Sequence, residues 1–78
     1  MAVTTFNNHS AVTKSDSTNF SQESAIYVGT GGNIAIECWG SSTSVTYTNV
    51  PNGTWLPVSA RKVLSTGTTA SDIVRGFN

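Results

Sequence analysis

Hydrophobic residues begin to alternate with other residues at position 25, and this alternation predicts two strands separated by a glycine turn. The first run is residues 25–28 (Ala-Ile-Tyr-Val), and the second is residues 34–38 (Ile-Ala-Ile-Glu-Cys). A period of two is typical of a strand with one buried face. The intervening string 29–33 contains three glycines, which supply the positive φ that a tight turn requires. The pattern therefore predicts a β-hairpin.

Three further runs after this hairpin have the same texture. They are residues 45–50, 54–66 and 71–77, and they are separated by the turn strings 51–53 (Pro-Asn-Gly) and 67–69 (Gly-Thr-Thr). Turns at a spacing of about 8 to 12 residues are typical of β-sandwiches and barrels. The segment after residue 24 is therefore predicted to contain five or six strands.

The longest of these runs changes register in its middle. Leu56 and Ala60 share one face of a strand, whereas the next hydrophobic residue, Val63, is one position out of step. Because a shift of one residue sends every later side chain to the opposite face, we predict a bulge or bend near residues 61–62. Pro57 cannot donate to a ladder, so it is expected at an edge or an irregular position.

Residues 1–24 lack the strand texture. Their few hydrophobic residues are scattered among Thr, Asn and Ser and follow no sustained period of two or 3.6. Such a segment cannot offset its own ordering entropy. It is predicted to be an extended arm that is disordered alone and becomes ordered on a neighbouring subunit or a platform, and a plain flexible terminus is the alternative. The predicted organisation is an arm of residues 1–24 and a β-domain of residues 25–78.

The composition agrees with an all-β fold. The chain has 78 residues, of which 11 are Ser and 12 are Thr, and it has 8 Val and 4 Ile against 2 Leu. β-branched side chains suit the pleated surface of a sheet, and no window combines helical spacing with good helix formers. We therefore predict a small all-β domain of five to six strands, a sandwich or barrel, with an extended N-terminal arm.

Cysteine, histidine and charge exclude several classes of partner. One Cys and one His allow neither an intramolecular disulfide nor a zinc site, so no metal or cofactor is predicted. Four basic and four acidic residues give no footprint for nucleic acid. No run approaches the roughly 18 apolar residues of a membrane span, and no export signal is recognisable. A domain this small buries little surface, and homo-oligomerisation is the expected source of additional stability.

No set of residues predicts catalysis. The glycines of 29–33 lack the Lys and the following helix of nucleotide-binding loops. His9 lies in the predicted arm, and Cys38 is expected to be a small buried hydrophobic residue rather than a thiolate. Glu37 and Asp72 are expected on solvated strand faces rather than as an acid/base pair. The protein is therefore predicted not to be an enzyme.

The aromatic residues are the candidates for contact with another molecule. Trp39 follows a strand, and Trp55 follows the turn 51–53, so both are predicted to contact another chain or to stack on a sugar. Phe6 and Phe20 are predicted to be protein contacts of the arm, because they are apolar in polar surroundings. Tyr27 is a further sugar-stacking candidate, and Tyr47 is expected mainly in the core.

Three blocks of the chain together resemble the small spike base proteins of tailed bacteriophages and gene transfer agents. The blocks are HSAVTKSDST (9–18), SAIYVGTGGNIAI (24–36) and VTYTNVPNGTWLPVSARKVLSTGTTASDIV (45–74). Their order and spacing match those of the family over most of the chain. Lys14 stands where the family often has Pro, and residues 75–77 replace an apolar ending, so the last strand is expected to be more exposed or differently paired.

The resemblance implies a virion structural protein. A β-subunit of this kind forms an oligomer, expected to be a trimer or pentamer, on the capsid surface after synthesis in the host cytoplasm. Its implied partners are the major capsid protein or another virion protein, and a spike fibre. Two alternatives stay open from the residues themselves: a carbohydrate- or receptor-binding module on the virion surface, and a tail or baseplate adaptor.

Overall fold

The computed structural model describes residues 6–40 and 43–78, which form six strands and, within those ranges, no helix. The strands are β1 (Asn8–Ala11), β2 (Ser24–Thr30), β3 (Gly32–Cys38), β4 (Ser44–Val50), β5 (Thr54–Val63) and β6 (Ser71–Phe77). All neighbours are antiparallel, and they form one open sheet in the order β1-β6-β2-β5-β3-β4. The predicted all-β class with five to six strands is confirmed.

The sheet curls around its own hydrophobic core. Ile26 and Val28 of β2 and Ile34 of β3 are each 0% exposed, and Ile36 is 2% exposed. Their neighbours in the core come from β4, β5, β6 and the segment before β6. A flat sheet would leave such side chains open to water unless a second layer covered them. The described strands all belong to one sheet. One half of this sheet, formed by β1, β6 and β2, therefore covers the other half, formed by β3 and β4, in the manner of a partly open barrel.

The long strand β5 connects the two halves of the sheet, and it does so through a bulge. The paired residues Glu37↔Lys62 and Cys38↔Ala60 leave Arg61 without a partner on β3. The bulge predicted near residues 61–62 is therefore confirmed. It returns Val63 to the core, where this side chain is 1% exposed.

A second irregularity in β5 surrounds Pro57. The pairs Ser24↔Ala60 and Ile26↔Leu56 place three residues of β5 opposite a single residue of β2. Pro57 thus lies where the ladder is interrupted, and its missing N–H leaves no ladder bond unmade. The irregular position predicted for this proline is confirmed.

The predicted hairpin of β2 and β3 is wrong, because β5 lies between these two strands. The glycines at the connection allow backbones to approach closely instead. A Cβ on Gly31 would lie 2.2 Å from the carbonyl oxygen of Val50, and one on Gly29 would lie 2.6 Å from that of Asp72. The Gly31 N–H donates to Asn52 Oδ1 at 2.6 Å. The connection is a corner between the two halves of the sheet, and a corner needs glycine as much as a tight turn does.

Part of the predicted arm adds a strand to the sheet. The four residues of β1 pair with β6, from Asn8↔Phe77 to Ala11↔Val74. After β1, the backbone N–H groups of Ser15 and Phe20 donate to the carbonyls of Val63 and Arg61, at 2.9 and 2.6 Å. Residues 6–23 therefore follow the surface of their own sheet. The division of the chain after residue 24 stays a prediction.

Candidate interaction surface

Three aromatic side chains from different parts of the chain meet on the sheet surface, and we call them the aromatic platform: Phe6, Tyr27 and Trp55. The rings of Phe6 and Trp55 stack with their centroids 5.7 Å apart and their planes at 24°. The Tyr27 and Trp55 rings are tilted, with centroids 5.2 Å apart. Trp55 is 49% exposed, so half of the largest ring of the platform faces outward.

The sheet register and one glycine create this platform. Tyr27 and Trp55 lie directly opposite each other on β2 and β5, which places both rings on one face. Phe6 lies over Gly76 of β6, where an added Cβ would come within 2.9 Å of Phe6 Cδ2. The absence of a side chain at Gly76 therefore lets the Phe6 ring lie on the sheet and reach Trp55. Two of the four predicted contact residues, Phe6 and Trp55, are thus brought together.

Phe20 lies elsewhere and is tied to its own chain. It is half-buried and packs against the core. The guanidinium carbon of Arg75 lies 4.8 Å from the centroid of the Phe20 ring and 4.1 Å from that of Phe77. Arg75 Nη1 also donates to Ser24 Oγ at 3.0 Å. This cation–π contact joins the arm to the last strand. The sequence did not predict this role of Arg75, although the departure of residues 75–77 from the apolar ending of the family was the available signal.

Trp39 lies at the end of β3. Its backbone N–H donates to the carbonyl of Ser59 at 3.0 Å, and the residue is 40% exposed. Val45 on β4 is another exposed hydrophobic residue, at 58%. The exposed surface of Trp39 thus lies just beyond the end of β3 and is not part of the aromatic platform.

A groove of about 520 Å³ adjoins the platform at Phe6. It is bounded by the arm, by the irregular part of β5 and by the end of the chain. Its lining residues are Phe6, Gln22, Glu23, Ser24, Ala25, Pro57, Val58, Ser59, Phe77 and Asn78. The groove combines aromatic rings with small polar side chains.

The expectation that Glu37 lies on a solvated face is wrong, since this residue is only 8% exposed. Its Oε2 atom accepts hydrogen bonds from Arg61 Nε, at 2.8 Å, and from Arg61 Nη2, and Lys62 Nζ lies 3.6 Å away. The hydrogen bond from Arg61 lowers the pKa of Glu37 against the opposing effect of burial. The β5 bulge places both cations at this carboxylate. Asp72 is exposed as expected, and it lies on β6, which is not a neighbour of β3.

Asp16 fixes the middle of the arm to the loop before β6. Its Oδ1 accepts from the Thr66 N–H at 2.9 Å, and its Oδ2 accepts from Thr66 Oγ1 at 2.7 Å. These hydrogen bonds lower the pKa of Asp16. Nearby, Lys14 Nζ donates to the carbonyl of Ala70 at 3.3 Å. Lys14 and Asp16, which belong to the block of residues 9–18 that resembles the family, thus make contacts within this chain.

Cys38 is half-buried against the core. In residues 6–40 and 43–78, no group of three or more His, Cys, Asp or Glu side chains is arranged to hold a metal ion. The same part of the chain contains no helix that is long and apolar enough to cross a membrane.

The chain is similar to a protein in a solved capsid structure. No protein-family model matches the sequence, and no curated protein matches it either. Among solved structures, the capsid of a native gene transfer agent particle, computed with C5 symmetry, contains a similar chain. The two chains are 37% identical, with a TM-score of 0.78, and the match covers 95% of this chain and 84% of that one.

Proposed function

The chain belongs to the family of this gene transfer agent capsid component and is therefore a virion structural protein, and we propose that it is a surface subunit of the capsid, either a decoration protein or a spike base. The observation that carries the proposal is the 37% identity over 95% of the chain. Identity at this level over nearly the whole length supports a common role as well as a common fold. It also supports a structural rather than an enzymatic role.

The proposed subunit acts as a homo-oligomer, and a pentamer is favoured over a trimer. The particle that contains the relative was computed with C5 symmetry. A subunit at a fivefold axis repeats five times around that axis, so a closed ring of five copies would satisfy the symmetry. A ring also gives a small domain the additional buried surface that its own core does not supply.

The aromatic platform and Trp39 are the proposed contacts with other virion proteins, namely the major capsid protein below the ring or a spike fibre above it. Trp and Tyr are enriched at the energetic centres of interfaces. Trp55 combines 49% exposure with a ring held in place by Phe6 and Tyr27, which lowers the entropy lost on binding. Phe20 is proposed to act indirectly, by holding the arm against β6.

Incorporation into particles tests this proposal. Trp55→Ala is expected to weaken incorporation by about tenfold or more, as is typical when an aromatic residue at the centre of an interface is truncated. The matched control is Ser65→Ala, an exposed loop substitution, which is expected to incorporate normally. The readout is the amount of each variant that co-purifies with capsids assembled without the native chain. Native chain that fails to co-purify with capsids would contradict the proposed function.

The role of the arm is tested with the same assay. The double variant Phe6→Ala and Phe20→Ala removes one ring from the platform and one from the Arg75 contact. We expect weaker incorporation, because Trp55 loses its stacking partner and the arm loses the contact of Phe20 with Arg75 of β6. Normal incorporation of the double variant would exclude an anchoring role for the arm.

A carbohydrate-binding module is the second candidate, and the half-exposed Trp55 ring beside Tyr27 favours it. Sugars stack on rings presented in this way. This candidate predicts saturable glycan binding by the purified chain that Trp55→Ala abolishes, together with unchanged incorporation of the variant into particles. Absence of glycan binding, together with weaker incorporation of Trp55→Ala into particles, supports a contact of Trp55 with another virion protein.

A further inference from the structure

The outer edge of β4 presents free backbone groups whose direction follows from hydrogen bonds on the other side of β3. The Ala35 N–H donates to Thr68 Oγ1 at 2.9 Å, and the Ala35 carbonyl accepts from the Leu64 N–H at 2.9 Å. Both backbone groups of Ala35 therefore point away from β4. Since Ala35 pairs with Thr46, that pair is not hydrogen-bonded. The N–H and C=O of Thr46 consequently point to the outer edge of the sheet.

The backbone groups that point to the outer edge of β1 can be assigned in the same way. The Val12 N–H donates to the carbonyl of Ile73 at 2.9 Å, so Val12 faces β6. Backbone direction alternates along a strand, and therefore Asn8 and Ser10 also face β6. The N–H and C=O groups of His9 and Ala11 point outward. Because each of these residues offers one donor and one acceptor, β1 can make up to four hydrogen bonds with a further strand.

Both edge strands lack charged residues and proline, two of the features that usually prevent pairing with another chain, although β4 has a bulge after Tyr47, where Thr48 and Asn49 lie opposite Asn33. Natural proteins protect exposed edges with charged residues, proline, bulges or a covering segment. β4 reads Ser-Val-Thr-Tyr-Thr-Asn-Val and β1 reads Asn-His-Ser-Ala, so neither contains Lys, Arg, Asp, Glu or Pro. Val45 on β4 is 58% exposed, the highest value among the large hydrophobic residues of the described surface. These edges have the composition of strands that pair in the assembled state.

The two edges differ from each other, and a ring requires this difference. A closed ring of five copies needs a head-to-tail contact between two different surfaces, whereas two copies of the same edge would give only a twofold dimer. β1 and β4 are the first and last strands of the sheet. From this we propose that β1 of each copy pairs with β4 of the next copy, so that the six-stranded sheets continue around the ring. The inference rests on the proposed function, which supplies the ring.

Proline substitution tests the inference without disturbing the sheet inside the subunit. Thr46→Pro removes an outward N–H from β4, and Ala11→Pro removes one from β1, while the ladders to β3 and β6 keep their bonds. The matched controls, Thr46→Val and Ala11→Ser, keep both N–H groups. Mass by light scattering is measured for each variant alone and for a mixture of the two proline variants, and thermal unfolding shows that each is folded.

The head-to-tail contact predicts a particular set of masses. Each proline variant alone is expected to be a monomer at concentrations where the native chain and both controls are assembled. In the mixture, the intact β1 of Thr46→Pro can pair with the intact β4 of Ala11→Pro, and because the other edges are blocked, the product is a dimer with one copy of each variant. Native-like assembly of either folded proline variant alone would overturn the inference.

Capsid binding tests the proposed function, and oligomeric mass tests the contact between β1 and β4, so the two can fail independently. If the native chain binds capsids but stays monomeric in solution at all concentrations tested, the edge contact is overturned and the virion role stands. If the native chain and the variants show the predicted masses but none of them binds capsids, the edge contact stands and the surface role is overturned. A variant that unfolds is replaced by Thr46→Lys or Ala11→Lys, which blocks the same edge with a charge.

Discussion

Gly31 and Gly40 show how differently two glycines act in this chain. A Cβ on Gly31 would lie 2.2 Å from a backbone oxygen of Val50, whereas a Cβ on Gly40 would have no atom within 4 Å. The first contact involves backbone, which cannot move aside as a flexible side chain can. Gly31 therefore fixes the corner between the two halves of the sheet.

We predict that Gly31→Ala lowers the free energy of unfolding by about 3 kcal/mol or more, because it forces the corner apart. Gly40→Ala is the matched control and is expected to change this free energy by less than about 0.5 kcal/mol. Chemical denaturation of both variants measures the difference. Equal stability of the two variants would show that the close approach at Gly31 is not required.

Individual residues also show what the sequence can and cannot predict about the site. Trp55 and Trp39 could be identified because they are large, apolar and next to turns, and both are well exposed. The meeting of Phe6 with Trp55 could not be predicted, because it depends on the pairing of β1 with β6 and on the open space over Gly76. The burial of Glu37 was missed for a similar reason, since the bulge that brings Arg61 to it is a property of two paired strands.

At the level of elements, strands with one buried face were predictable and the strand without one was not. β2, β3, β5 and β6 each contribute buried residues to the core, and their alternation is visible in the sequence. All four residues of β1 are exposed, so β1 carries no hydrophobic period, and its strand conformation comes from pairing with β6. The partner of each strand was also not encoded locally, which is why β2 and β3 were mistaken for a hairpin.

The arm is an element whose attachment should depend on pH through Asp16. The pKa of Asp16 is lowered by the hydrogen bonds from Thr66, so the folded state favours the ionised form. The stabilisation is therefore complete above the ordinary Asp pKa of about 4 and is lost as the pH falls through the lower pKa of the folded state.

We predict that Asp16→Ala lowers the thermal unfolding temperature at neutral pH and that the native chain loses this advantage in acid. Unfolding of both proteins is followed from about pH 7 to about pH 3. The difference between them should shrink below about pH 4. Glu37, whose pKa is also lowered, is present in both proteins, so its own contribution to the pH dependence is largely removed in the difference. A difference that stays constant across this range would contradict the role of the Asp16 carboxylate.

At the level of the whole molecule, three sequence blocks in a fixed order predicted a virion protein, and the 37% identity to a gene transfer agent capsid component supports that broader prediction. The assembly is a different matter. Two strand edges without charged residues or proline, at the ends of one sheet, become visible only once the strand order is known. A 78-residue subunit with such edges and an exposed aromatic platform has the features of a building block that is completed by its neighbours.

A cryo-EM difference map between particles made with and without this chain tests whether it is a capsid-surface subunit. We predict difference density on the outer surface at the fivefold vertices, with five copies of the curled sheet around each axis. Difference density confined to the tail or baseplate, or identical vertices in the two kinds of particle, would exclude a position at the capsid vertices.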